Sequence, residues 1–385
     1  VLREVGEETG LHFAPEEARC IHTYRSDSPE EQNNYFVDIY EFRGDFTRDQ
    51  VKIQEDEVES FQLATPAQIR ELGKQDDFLH YHRIEGLLTM DIKKITIAGA
   101  GTMGYSMADI FARNGYEVTL WNHRQPTLDK ARTKISAGAA DKITYTTSMD
   151  AFRGRDLIVE SIVEDMEAKL AFYREMSPLA DPETIIATNT SGLSINKLAA
   201  AVTGPDRFLG MHWFNPPTLI PLIEIIKNEK TRPDVAKTIY DLSLAIGKKP
   251  ALVEKDVPGF AANRIQLAVL REALALVRDG VVSVEGADAV MKYGLGFRWA
   301  CLGPLETVDF GGLDVFCHIS EYLMPNLEDS HEVPALLKEK VEAGDYGVKT
   351  EKGFYDYAGD KAREATAARD KKLQAVYDAL YGGKA

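Results

Sequence analysis

The sequence predicts an α/β protein in three parts: a small mixed piece, a parallel-sheet domain and an all-helical domain. Three observations predict it. From Lys93 onward, short runs rich in Ile, Val and Leu alternate with helical stretches, the pattern of a sheet built from βαβ units. The first of these runs, KKITIA, is followed at once by GAGTMG and a helix. After residue 258 the strand-like runs stop. PGFAANRIQLAVLREALALVRDG then carries helical periodicity with no interior breaker beyond Gly259.

Composition narrows the class. With 385 residues, 44% hydrophobic and 28% charged, the chain is an ordinary globular protein of about two to three domains. No stretch approaches the ~18 uninterrupted apolar residues of a membrane span. The opening residues, VLREVGEETG, lack the apolar region of a secretory signal. Three widely spaced cysteines, Cys20, Cys301 and Cys317, argue against a disulfide framework and fit the reducing cytoplasm. The net charge of −16 repels phosphate backbones and excludes nucleic acid as a partner. That charge is uneven: residues 1–89 hold 20 Asp/Glu against 9 Lys/Arg.

The N-terminal piece spans residues 1–89. EVGEETGL reads as a helix end capped by Gly10, YFVDIYEF as a strand, and TPAQIRELGK as a helix opened by a Thr–Pro pair. Met90 stands just before the strand that opens the next domain, where an initiator methionine would sit, so residues 1–89 are expected to be a fused or upstream addition. REVGEETGL resembles the second half of a Nudix box, and residues 1–89 are similar to a truncated Nudix hydrolase domain. On a helix, Glu4, Glu7 and Glu8 share one face. The resemblance implies that they would ligate Mg²⁺ for diphosphate hydrolysis if the piece is active.

Residues 90–257 carry the dinucleotide signature. Gly99, Gly101 and Gly104 have the GxGxxG spacing between a strand and a helix, with EVTLW as the next strand. The first glycine makes the turn, the second admits the pyrophosphate and the third lets helix and strand pack. Thr102 and Met103 open the helix whose N-terminus faces the phosphates. The second strand ends in Asn122 where an NAD site usually has an acid. Asn122 can bond a ribose hydroxyl without repelling a 2′-phosphate, and Arg124 is either a phosphate partner or a solvated loop residue. The cofactor is therefore NAD, with NADP open.

Oxidation of a secondary alcohol needs a base for the hydroxyl proton, and histidine suits that role. Further strands are expected over DLIVESIV (156–163), TIIATNTS (184–191) and RFLGMHWFNPP (207–217), and these runs, with GMHWFNPP and Glu224 in LIEII, resemble the 3-hydroxyacyl-CoA dehydrogenase family in order and spacing. The similarity is to its 3-hydroxybutyryl-CoA dehydrogenase-like members and covers residues 90–385. It implies that His212 is the general acid/base and Glu224 its orienter. It also implies that Ser191 and Asn263 contact the reacting oxygen and that Glu164 and Lys169 are a pair near the cofactor. Any one of these alone could be an ordinary core, turn or surface residue; their order on one frame is what carries the reading.

For residues 258–385, LGPLETVDFGGLDVF and KTEKGFYDY resemble further signatures of the family's helical domain, which is 6-phosphogluconate dehydrogenase C-terminal-like. The resemblance implies a homodimer interface and a short-chain (S)-3-hydroxyacyl-CoA as substrate, in fatty acid metabolism. Many members insert a helical hairpin after the second Rossmann strand to hold coenzyme A. Here HRQPTLDKARTKISAGAAD (123–141) has room for one helix and a loop. A small free hydroxy acid or alcohol is the alternative substrate.

Overall fold

The computed structural model describes residues 1–28, 33–75 and 81–382. The chain divides into two compact units: Val1–Met90 with Arg232–Thr238, and Asp91–Thr231 with Ile239–Ala385.

In the first unit, the helix Leu2–Thr9 ends at Gly10, whose φ of 69° lets its N–H reach back to Gly6 O. The strand expected over YFVDIYEF is β2 (Asn33–Phe42). It pairs antiparallel with β1 (Ala18–Ser28), a largely polar run with no strand-like alternation. Thr65 caps the helix Pro66–Leu72 through a reciprocal bond with Gln68. Among the described residues the sheet has two strands, and no described residue of 1–90 is fully buried. A hairpin with neither face buried is marginal by itself.

The second unit is built on an eight-stranded sheet. Its strands are β3 (Lys94–Ala98), β4 (Glu117–Trp121), β5 (Ile143–Thr146), β6 (Leu157–Glu160), β7 (Ile185–Thr188), β8 (Phe208–Trp213), β9 (Leu222–Lys227) and β10 (Lys249–Val253). The order is β10-β9-β8-β7-β6-β3-β4-β5. All neighbours run parallel except β8 and β9. The order reverses between β3 and β6. In a doubly wound sheet that switch point leaves a crevice at the carboxyl ends of the strands. The central strands are buried on both faces, which explains their unbroken Ile/Val/Leu character. The helix Thr102–Arg113 covers one face with Met107, Ile110 and Phe111.

Two of the glycines after β3 are sterically forced. Gly99 has φ 112°, and a Cβ there would lie 2.3 Å from Ser161 O. A Cβ on Gly104 would lie 1.8 Å from Gly99 O, so helix and strand could not close together. Gly101 has nothing within 4 Å of its would-be Cβ.

The connection from β4 to β5 holds the helix Gln125–Arg132 and one further turn, Ala137–Ala140. It lies against the domain. Ser136 N and Oγ donate to Asp109 Oδ1 at 3.0 and 2.5 Å, and Ile135 and Ala139 are buried. No arm projects from it.

Beyond Phe260 the unit is helical, opening with Ala262–Arg278 and closing with Lys361–Tyr381. Among its described residues only Leu274, Ala275 and Thr307 are buried, while Tyr293 and Leu305 are 82% and 81% exposed. Among the described residues no helix is long and apolar enough to cross a membrane.

The glycine geometry separates two substitutions. Gly104→Ala should cost about 1–3 kcal/mol of stability and lower the thermal midpoint, because a methyl group there overpacks against backbone. Gly101→Ala should melt like wild type yet bind dinucleotide more weakly. Thermal unfolding beside a fluorescence titration with NADH checks both, and equal melting of the two variants would contradict the packing argument.

Candidate active site

The hairpin that reverses the sheet places the key pair. β8 ends LGMHW and β9 reads LIEII, and their antiparallel register sets His212 directly opposite Glu224. His212 Nδ1 donates to Glu224 Oε2 at 2.9 Å, and both side chains are buried. The other carboxylate oxygen, Oε1, accepts the N–H groups of Ala261 (3.0 Å) and Ala262 (2.9 Å), where the helix Ala262–Arg278 begins. Unpaired N–H groups at a helix start suit an anion. Burial pushes the Glu224 carboxyl up. The bonds from His212, Ala262 and Ala261 outweigh it and hold the group below its ordinary value, so it is ionised at neutral pH. An ionised partner on Nδ1 keeps the proton there and leaves Nε2 as the basic nitrogen. Phe214 and Phe260 flank the imidazole, with ring centroids at 4.3 and 5.7 Å.

Ser191 lies on the exposed loop after β7. Its carbonyl accepts Asn263 Nδ2 at 2.6 Å, and its N–H donates to Glu164 Oε1 at 2.8 Å. Asn263 directly follows Ala261 and Ala262, so one helix start touches both Glu224 and the Ser191 loop. Asn189 ties this loop to β8 by accepting the N–H of Trp213 at 2.8 Å.

Glu164 and Lys169 approach each other, at 3.5 Å, and Lys169 is buried. Its Nζ donates to Glu160 Oε1 at 2.5 Å. Glu160 is also bonded by Tyr173 OH, Thr188 Oγ1 and Ile162 N–H, each at 2.7 Å. Burial, then the Glu160 charge, pushes the Tyr173 phenol well above its ordinary value, so it remains a donor. Sequence reasoning missed Glu160. The signal was a lone carboxylate inside the apolar run DLIVESIV, where an acid must find buried partners.

At the glycine turn, Gly99 N–H donates to Trp121 O at 2.8 Å, and Thr102 and Met103 form the first turn of the helix. The open space at Gly101 is a cradle that a side chain would fill, and it fits a pyrophosphate. Asn122 is buried; its Oδ1 accepts the Ala100 N–H at 3.4 Å and its Nδ2 donates to Arg124 O at 3.2 Å, so its amide braces the glycine turn. Arg124 is exposed at the start of Gln125–Arg132.

Glu4, Glu7 and Glu8 do stand on one helix, but Glu7 pairs with Arg3 at 3.7 Å. Among the described residues no group of three His, Cys, Asp or Glu side chains is placed to hold a metal. The three glutamates expected to ligate Mg²⁺ are not gathered into such a group among the described residues.

The family model described as 3-hydroxyacyl-CoA dehydrogenase, NAD binding domain, matches residues 94–257, and the model of the C-terminal domain matches residues 259–357. The 5-formyl-3-hydroxy-2-methylpyridine 4-carboxylate 5-dehydrogenase of Mesorhizobium japonicum is 37% identical over 306 residues, covering 76% of this chain and 99% of that protein. A crystal structure of such a dehydrogenase, described as an NAD+ dependent dismutase, aligns at 36% identity with a TM-score of 0.72, covering 76% of this chain and all of that one. The 3-hydroxybutyryl-CoA dehydrogenase of Bradyrhizobium diazoefficiens is 36% identical over 288 residues, 70% of this chain and 97% of that protein. The chain belongs to the 3-hydroxyacyl-CoA dehydrogenase family, and is an NAD-dependent dehydrogenase acting on a hydroxyl group.

Proposed function

We propose that the chain interconverts a hydroxyl and a carbonyl on a small free carboxylic acid, with His212 as general acid/base. The observation that carries the substrate class is the β4–β5 connection, which folds flat against the domain where a coenzyme A arm would project. The pyridine carboxylate dehydrogenase, similar over nearly its whole length, supports the same reading. The 3-hydroxybutyryl-CoA dehydrogenases among the relatives favour the second reading, a short-chain (S)-3-hydroxyacyl-CoA.

The bound nicotinamide supplies a hydride acceptor in oxidation and a hydride donor in reduction. The chain's residues supply the rest. Nε2 of His212 takes the hydroxyl proton as the carbonyl forms and returns it in the reverse direction. Glu224 holds the ring by Nδ1 and stabilises its protonated form. The hydroxyl of Ser191 and the remaining N–H of Asn263 donate to the reacting oxygen as it gains charge. Glu164 keeps the Ser191 loop in place. The exposed Arg124 and the non-acidic Asn122 support tolerance of NADP beside NAD.

The helical region supports a homodimer. Burying so few apolar side chains cannot offset the cost of ordering over a hundred residues, and a second copy would cover the exposed face. The three exposed, unpaired cysteines support a reducing compartment such as the cytoplasm.

Five outcomes are expected. Acetoacetate should be reduced with a kcat/KM at least about 10-fold above acetoacetyl-CoA; the reverse order supports the thioester reading. His212→Ala should lower kcat by about 10²–10⁴. Glu224→Gln should cost a similar factor while the protein still binds NADH, because the hydrogen-bonding shape survives and the charge does not. Light scattering should give twice the chain mass, and a monomer would contradict the dimer. Introducing Asn122→Asp should depress NADPH use more than NADH use, read from the ratio of their KM values.

A further inference from the structure

A buried cation beside the site has no part in the chemistry above. Lys248 follows Gly247, whose φ of 76° turns the chain into β10, and it is buried. Its Nζ donates to Pro217 O and, at 2.9 Å, to Ile220 O. The same ammonium stands 5.4 Å from the centroid of the Trp213 ring. Trp213 is the last residue of β8 and the neighbour of His212. Pro217 and Ile220 lie in the connection, residues 214–221, that leads from β8 to β9. One side chain thus grips both the end of the strand that carries His212 and the loop that leads to Glu224.

Phe214, the first residue of this connection, packs against His212, and few backbone hydrogen bonds hold the rest. Within it, Leu219 and Ile220 N–H donate to Pro216 O, and Lys249 N–H donates to Pro221 O at 2.9 Å where the β9–β10 ladder opens. The Trp213 indole N–H is buried without a hydrogen-bond partner, so packing fixes the ring: Phe111 against its edge at 5.8 Å and the Lys248 cation over its face. The ladder reaches its last pair, Trp213 with Ile223, one step beyond His212 with Glu224. A loosened connection would release the register next to the pair that has to stay aligned.

We propose that Lys248 is a positioning residue: by holding the Pro217 and Ile220 carbonyls and the Trp213 ring, it keeps His212 aligned on Glu224 without touching substrate. The proposal rests on His212 being the base. Burial, then repulsion from Arg113, lowers the Lys248 pKa to about 8, so the cation is held at a cost to the fold. Removing it lifts that cost but leaves the Pro217 and Ile220 carbonyls without this donor, so stability is read beside activity.

Lys248→Met removes the donors at nearly constant length, and Lys248→Gln keeps an amide donor. The measurements are the thermal midpoint, NADH affinity, and kcat and KM with acetoacetate or acetoacetyl-CoA, whichever the wild type reduces. The downfield proton signal of His212 Nδ1–H, identified by its loss in His212→Ala, is followed in parallel. The methionine variant should remain folded, with a cooperative melt, and bind NADH normally. Its kcat should fall about 10- to 100-fold with KM within about threefold, and the Nδ1–H signal should broaden. The glutamine variant should lie between and carries the comparison if the methionine variant unfolds. Unchanged kcat and an unchanged Nδ1–H signal in both variants would overturn the proposal. An active His212→Ala enzyme would instead overturn the base assignment, and the proposal with it.

Discussion

The site depends on one contact, the hydrogen bond between His212 and Glu224 across an antiparallel pair of strands. Each partner alone would be an expensive group to bury. Together they are inexpensive, because Glu224 has a second set of donors in the Ala261 and Ala262 N–H groups. Those donors start the helix that also presents Asn263 to the Ser191 loop. The carboxylate therefore orients the imidazole and fastens the start of the helical region onto the sheet. The antiparallel step is what makes this possible: a parallel neighbour for β8 would have needed a long crossover and could not have set residues twelve apart face to face.

A second constraint sits at the other end of the loop system. Glu160 is a carboxylate at the end of a fully buried strand, and it is tolerated because Lys169, Tyr173, Thr188 and the Ile162 N–H all donate to it. Lys169 extends that network to Glu164, and Glu164 to the Ser191 N–H. The loop that would meet the reacting oxygen is thus hung from a rigid polar core. Partly satisfied networks of this kind are destabilising, so each member constrains the next.

Much of this was legible in the sequence, because the signals were local. The glycine turn, the strands β3, β4, β6, β7 and β8 and the helix after Pro258 announce themselves by spacing and periodicity over a few residues. β5, β9 and β10 were not read as strands: their runs are short, and only pairing with a neighbour distinguishes them from loop. β1 hid behind a polar sequence for the same reason. Internal partners that the fold brings from elsewhere leave no such local signal. Lys169 and Asn122 sit at suggestive positions, yet each side chain is spent on an internal partner that is remote from it in the chain or folded back beneath it. The glutamates of the N-terminal helix show the converse. Helical spacing places Glu4, Glu7 and Glu8 well enough, but a metal site also needs ligands that the fold brings from elsewhere.

The flat β4–β5 connection turns this common catalytic frame toward a small substrate, and that claim is open to a test that needs no turnover. Free coenzyme A would be titrated calorimetrically into the enzyme–NADH complex. No saturable heat is expected up to about 1 mM, since the β4–β5 connection has no projecting arm to hold the carrier. Saturable binding with a Kd of about 10 μM or tighter would contradict it and return the thioester to first place.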